Sequence, residues 1–98
     1  MLFACICKDK PDASELRQQT REANLEHLRE NAGAVVSAGP LLSADGSAPV
    51  GSLLIVVAES LDAARAMMDA DPYVKAGVFA EVEVHPWRWV VGTVNLHE

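Results

Sequence analysis

A predicted helix over residues 15–31 carries Arg21, Asn24 and His27, three side chains that can bind anions or exchange protons. They are spaced three residues apart, so they lie on neighbouring positions of one helix face. A helical wheel places Asn24 near the middle of the side that faces the core, with His27 about 60° away and Arg21 partly inward. Asn is a poor helix former, and a buried amide needs hydrogen-bond partners. The helix therefore predicts a polar pocket against the rest of the fold.

Three residues elsewhere in the chain are candidates for the same pocket. Asp71 precedes Pro72 and is predicted to cap a short turn, a role that is compatible with a functional carboxylate. Ser52 follows Gly51 at the start of an apolar strand, and no nucleophile-elbow motif surrounds it, so it is a binding candidate and not a nucleophile. Tyr73 supplies either core packing or a pocket hydroxyl.

The helix residues also have purely structural interpretations, which the sequence leaves open. Asn24 can be a buried amide bonded to the sheet or to a turn. His27 can be a half-exposed residue at the helix edge. Arg21 can pair on the surface with Glu22 or Glu26.

The elements that position these residues follow the order β-α-β-β-α-β. Asp12 or Ser14 is predicted to cap the first helix and Ser60 the second, and a bulge is predicted near His85 because the apolar residues around it do not share one parity. The order is that of the ferredoxin-like split βαβ fold, an α+β sandwich with both helices on one face of an antiparallel sheet. The predicted strands are 2–8, 34–42, 50–58 and 79–91, and the predicted helices are 15–31 and 61–70.

The strands are apolar on both parities, as "SLLIVV" shows, so the second face of the sheet also needs cover. The prediction is a homodimer in which two sheets pack face to face. The chain is predicted to be one domain, 1–98, with a core over about 1–91 and a loose tail at 92–98.

Composition excludes several classes of protein. The 98 residues carry a net charge of −6, which disfavours nucleic acid as a partner. No apolar run approaches the roughly 20 residues of a membrane span, and "MLFACICKDKP" has its lysines on the wrong side for a secretory signal, which predicts a cytoplasmic protein. Cys5 and Cys7 are predicted to be buried small hydrophobes, with no metal site and no cofactor signature.

Several stretches together resemble the YciI-like (YCII-related) family, through about Trp89. The most specific is "ADPYVKAGVFAEVEVHPW", followed by "AGPLL…DG…GSL". The resemblance implies a dimeric α+β barrel similar to muconolactone isomerase, with a small-molecule pocket between sheet and helices. It also implies a His–Asp pair as the acid–base centre, with the Asp at Asp71.

The chain departs from that family at the histidine. The resemblance places the histidine in an R-x-x-H-L pattern, and here the pattern reads Arg21-Glu22-Ala23-Asn24-Leu25. An Asn amide forms hydrogen bonds but does not titrate, so it cannot serve as general acid or base. Three functions remain open: an acid–base enzyme of isomerase, lyase or dehydrochlorinase type that uses Asp71, His27 and Asn24; a non-catalytic small-molecule-binding module; or a structural dimer with a vestigial pocket.

Overall fold

The computed structural model describes residues 1–92. Residues 1–92 form four strands, two longer helices and one short helix, in the order predicted. The bounds are β1 Leu2–Asp9, α1 Ser14–Glu30, β2 Val35–Leu42, β3 Pro49–Val57, α2 Leu61–Asp69, α3 Pro72–Ala76 and β4 Phe79–Trp87. The predicted single turn after Asp71-Pro72 is α3, which Asp71 caps and Gly77 ends in the left-handed conformation, at a φ of 80°.

The sheet is fully antiparallel, with strand order β2-β3-β1-β4. This is the ferredoxin-like arrangement, with β1 and β3 in the centre, and it confirms the predicted α+β fold. The buried residues of β1, Phe3, Cys5 and Cys7, alternate along the strand, and they pair with Val56, Leu54 and Ser52 of β3. Because strand side chains alternate between faces, these residues define the face that the helices cover.

The predicted side-chain cap of α1 is wrong. The residue that precedes α1 is Ala13, whose carbonyl accepts the Arg17 backbone N–H, and no side chain caps the helix. Ser14 already belongs to the helix, while Asp12 has a φ of 61° and lies outside it. Ala13 is small, apolar and buried in the core, and α1 begins at Ser14, one residue before the predicted start.

The predicted bulge exists but lies elsewhere. The β1–β4 register runs unbroken past His85 and Pro86, and it shifts between Lys8 and Asp9, opposite Ala80. The shift at that point places Phe79 on the same face as Val82 and Val84, while Trp87, which pairs with Leu2, stays on the opposite face. Of the predicted tail only Gly92 is described; His97 lies outside the described residues.

Cys5 and Cys7 are fully buried and free, as predicted. Burial raises the pKa of Cys5 to about 11 and that of Cys7 to about 12, because the thiolate would lose its hydration. Both thiols therefore stay protonated at neutral pH.

We expect neither thiol to react with a disulfide reagent in the native state at pH 8, and both to react after denaturation. Unfolded thiols lose their protons near pH 9, so the stability that these buried thiols contribute is complete below pH 9 and falls as pH rises toward 12. Thiol titration with and without denaturant tests this, and rapid native labelling would contradict it.

No helix of residues 1–92 is both long enough and apolar enough to cross a membrane.

Candidate active site

A cavity of about 440 Å³ lies between α1, the β2–β3 half of the sheet and the start of α3. Its polar lining comes from all three regions, and its apolar lining from the same helix and strands. The polar lining residues are Ser14, Arg17, Gln18, Arg21, Asn24, Ser52, Asp71 and Tyr73. Five of the six residues predicted for the site therefore line one cavity: Arg21, Asn24, Ser52, Asp71 and Tyr73.

Asp71 is the carboxylate of this cavity and is 2% exposed. Its Oδ1 accepts two hydrogen bonds, from the Tyr73 backbone N–H at 2.8 Å and from Asn24 Nδ2 at 3.1 Å. No donor among residues 1–92 reaches Oδ2, and no fully buried side-chain oxygen in this range lacks a partner. Oδ2 is therefore at the cavity surface, with its lone pairs available to a ligand.

Asn24 holds Asp71 from the middle of α1. It is buried, and its partner is a carboxylate and not the sheet carbonyl or turn of the structural interpretation. Because an ionised carboxylate only accepts hydrogen bonds, the amide must present its N–H₂ to Asp71 and its oxygen elsewhere. Asn24, the polar residue on the core-facing side of α1, therefore forms an Asn–Asp pair with Asp71.

Arg17, one turn before Arg21, forms a buried ion pair with Asp9 at the end of β1. Nε and Nη2 bond the two carboxylate oxygens at 2.7 and 2.9 Å, a bidentate geometry. Nη2 also donates to the Gly51 carbonyl at 2.8 Å and to Ser52 Oγ at 3.0 Å. A Cβ at position 51 would collide with the Cys7 carbonyl oxygen, so Gly51 is needed where β3 passes this cluster.

The Arg17 guanidinium also stacks on the aromatic side of the cavity. Its Cζ lies 4.6 Å from the centre of the Tyr73 ring, within cation–π distance. Burial alone would lower the pKa of Arg17, but the hydrogen bonds and charge of Asp9 outweigh it, so the pKa is raised and the charge is permanent. Burial raises the pKa of the Tyr73 hydroxyl, against the opposing charges of Arg17 and Arg21, and it stays protonated.

The remaining two predicted residues are placed differently from each other. Arg21 is exposed at the rim of the cavity, and within residues 1–92 it has no carboxylate partner. His27 is half-buried but does not line the cavity; its carbonyl accepts a hydrogen bond from Asn31 at the helix end. The structure does not bring His27 to Asp71, and its catalytic role stays a prediction.

The helical wheel places Arg17, like Arg21, partly inward, but the sequence assigns Arg17 no role and does not point to Asp9. Arg17, Arg21 and Asn24 occur at i, i+4 and i+7, the spacing of one helix face, and this was the available signal for Arg17. Nothing in the sequence marks Asp9, because a carboxylate at the end of a strand is usually solvated. Only the fold brings it to within 2.7 Å of the guanidinium.

The family model for the YCII-related domain matches residues 1–88. The chain belongs to the YCII-related family. Among curated relatives, protein YciI of Escherichia coli O6:H1 is 40% identical over 92% of this chain and 99% of its own length. A protein of Haemophilus influenzae is 34% identical over the same shares.

One solved structure that is similar to this chain is an enzyme in complex with a small molecule. It is 5-chloro-2-hydroxyhydroquinone dehydrochlorinase (TftG) from Burkholderia phenoliruptrix AC1100, in complex with 2,5-dihydroxybenzoquinone. The TM-score is 0.83 at 35% identity, over 90% of this chain and 94% of that one. A structural neighbour of this YCII chain is therefore an enzyme, which is consistent with catalytic activity.

Proposed function

We propose that the cavity is the active site of an acid–base enzyme of isomerase, lyase or dehydrochlorinase type, acting on a small oxygenated ring or organic acid. Asp71 is the base. Asn24 fixes the orientation of its carboxylate, and Arg21, Ser52 and Tyr73 bind the substrate. The proposed mechanism does not use His27.

One observation carries the proposal: the two oxygens of Asp71 are in different environments. Two N–H donors fix Oδ1, whereas no donor among residues 1–92 bonds Oδ2, and Asp71 lines the cavity. A carboxylate that is fixed on one side and open on the other is oriented to take a proton from a bound substrate. The same pair explains how a centre can work with Asn24 where the family resemblance places a histidine, because orientation needs a donor and not a titrating group.

The dehydrochlorinase neighbour suggests the class of substrate. Loss of HCl from a chlorinated hydroxyhydroquinone requires that one O–H proton moves to the ring carbon that bears chlorine, and that a second O–H proton leaves as the electrons of the ring expel chloride. One carboxylate can accept the first proton, return it to that carbon and accept the second. Asp71 supplies the acceptor here. The rim cation Arg21 favours ligands with ionised oxygens, since it has no competing carboxylate among the described residues.

The test is turnover of 5-chloro-2-hydroxyhydroquinone, followed by chloride release, together with binding of 2,5-dihydroxybenzoquinone measured by calorimetry. We expect chloride release above the rate in buffer and saturable binding. Binding without release would favour the alternative function, a non-catalytic small-molecule-binding module. The absence of both would count against this substrate class.

The alternative function, a non-catalytic binding module, is favoured by Asn24, because an Asn amide does not titrate. Asn24→His is expected to raise turnover about tenfold or more, because imidazole can keep the hydrogen bond to Asp71 and also titrates near pH 6.5. Asn24→Gln, which keeps an amide on a side chain one methylene longer, is the control and should show no gain in turnover. If Asn24→His gives no gain on a substrate that histidine-bearing relatives turn over, the ancestral proton transfer has been lost by more than one change.

We also propose that the chain works as a homodimer through the open face of its sheet. All three helices lie on the other face, and the open face presents Leu53, Val57 and Trp87, each at least 40% exposed. Leu53 pairs with Ile6 in the middle of the sheet, so the surface is continuous and apolar across β1 and β3. A second copy can bury this surface against an identical one.

Leu53→Glu is expected to convert the dimer to a monomer, because two carboxylates would be buried opposite apolar strands. Val90→Glu, which adds the same charge at a highly exposed position after β4, should leave the dimer intact. Sedimentation equilibrium measures both. A monomeric wild-type protein would contradict the proposed dimer.

A further inference from the structure

Ser52 is a buried residue, and its hydroxyl has only one of its hydrogen-bonding roles satisfied among residues 1–92. It is 8% exposed, it lines the cavity, and Oγ accepts a hydrogen bond from Arg17 Nη2 at 3.0 Å. No hydrogen bond runs from the Ser52 hydroxyl proton to another residue of 1–92. Since Arg17 has no acceptor atom, the proton must point away from it.

The ion pair with Asp9 fixes this arrangement. Two Arg17 nitrogens bond the Asp9 carboxylate, and Nη2 bonds the Gly51 carbonyl next to Ser52, so the guanidinium cannot rotate without breaking several bonds. A permanent positive charge 3.0 Å from Oγ draws electrons from the hydroxyl and makes its proton a better donor. Because Ser52 lines the cavity and its proton is not used by residues 1–92, the hydroxyl is a fixed donor available to a ligand there.

We infer that Ser52, held by Arg17 and Asp9, donates a hydrogen bond to an oxyanion of the ligand, with Arg17 and Asp9 as its positioning residues. The inference rests on the proposed function for the origin of that oxyanion. Asp71 Oδ2 takes a proton from the substrate. If the proton comes from an O–H bond, the electron pair stays on that oxygen; if it comes from an acidic C–H bond, the pair moves to the neighbouring carbonyl oxygen. Ser52 keeps its own proton and stabilises the negative oxygen, as donors of an oxyanion hole do.

Binding of a phenolate tests Ser52 without any turnover. The probe is para-nitrophenol, whose ionised form absorbs visible light, titrated with excess protein across its own pKa. We expect the wild-type protein to bind phenolate more tightly than phenol and so to lower the pKa of the bound probe. Ser52→Ala should weaken phenolate binding by about tenfold or more and phenol binding by less than about threefold, as expected for a hydrogen bond to a charged group.

Three variants separate this role from a structural one. Ser52→Thr keeps the hydroxyl and should restore the preference for phenolate. Ser60→Ala removes the side-chain cap of α2, far from the cavity lining, and should leave the preference unchanged. Asp9→Asn should reduce the preference for phenolate over phenol if the variant folds. If it does not fold, the comparison of Ser52→Ala with Ser52→Thr tests the inference without it.

Each outcome is decisive for Ser52. A preference for phenolate that survives Ser52→Ala would assign the oxyanion to another donor of the cavity, such as the Arg17 guanidinium, and would overturn the inference. Failure of the wild-type protein to bind or to prefer phenolate would overturn it as well. Because the probe undergoes no reaction, a failure of catalysis by Asp71 leaves the phenolate result unaffected.

Discussion

Replacement of Asp71 by Asn is expected to lower chloride release from 5-chloro-2-hydroxyhydroquinone by about 10²–10⁴-fold, the contribution of a positioned general base. The substitution removes the base with little change of shape. Asn is as good an N-cap as Asp, so its side-chain oxygen can still accept the Tyr73 backbone N–H that starts α3. The loss should therefore appear in kcat while the fold, measured by circular dichroism and thermal unfolding, is retained.

Two further variants locate the effect at Oδ2. Asp71→Glu keeps the charge but moves the carboxylate by about 1 Å, which is expected to cost about 10²-fold. Asp62→Asn, on an exposed position in the first turn of α2, changes the net charge by the same amount and should leave turnover intact. Full activity in Asp71→Asn would show that Asp71 is not the base of the reaction.

The fold was predictable because its signals are local and agree with one another. Periodicity, the Ser60 cap and the Asp71-Pro72 stop gave the correct element order, and that order admits few topologies. The start of α1 and the β4 bulge were misplaced by packing preferences that local sequence does not carry: Ala13 is drawn into the core, and β4 shifts register opposite Asp9.

The candidate site was predictable only where residue type conflicts with position. Asn24 stood out because an amide on the apolar side of a helix needs a reason, and the structure supplies Asp71 as its partner. His27 was a candidate by residue type, yet it lies at the edge of the helix face and does not line the cavity, although its neighbour Leu28 does. The partnership of Arg17 with Asp9 joins a helix to a strand end, and such pairs depend on how elements pack.

That partnership should also dominate stability. Asp9→Ala leaves the Arg17 guanidinium buried at 8% exposure without its counter-ion, and Arg17 cannot become neutral to relieve the cost. We expect a loss of about 3–5 kcal/mol in the free energy of unfolding, a large part of the roughly 5–15 kcal/mol of a small domain. Urea denaturation measures it. The control is Glu26→Ala, which breaks the exposed Glu26–Arg29 pair and should cost about 1 kcal/mol or less.

A double variant then separates the effect of the Asp9–Arg17 pair on stability from its effect on ligand binding. Replacing both partners, as Asp9→Leu with Arg17→Met, removes both charges and is expected to be much closer to wild-type stability than Asp9→Ala, because no buried charge is left unpaired. This variant should fold and yet lose the preference for phenolate, since Ser52 no longer has a fixed cation behind it. If Asp9→Ala costs no more than Glu26→Ala, water must reach Arg17 and the pair is not a structural constraint. If the double variant keeps the preference for phenolate, Ser52 is oriented by the strand alone, and the ion pair serves only to bind α1 to the sheet.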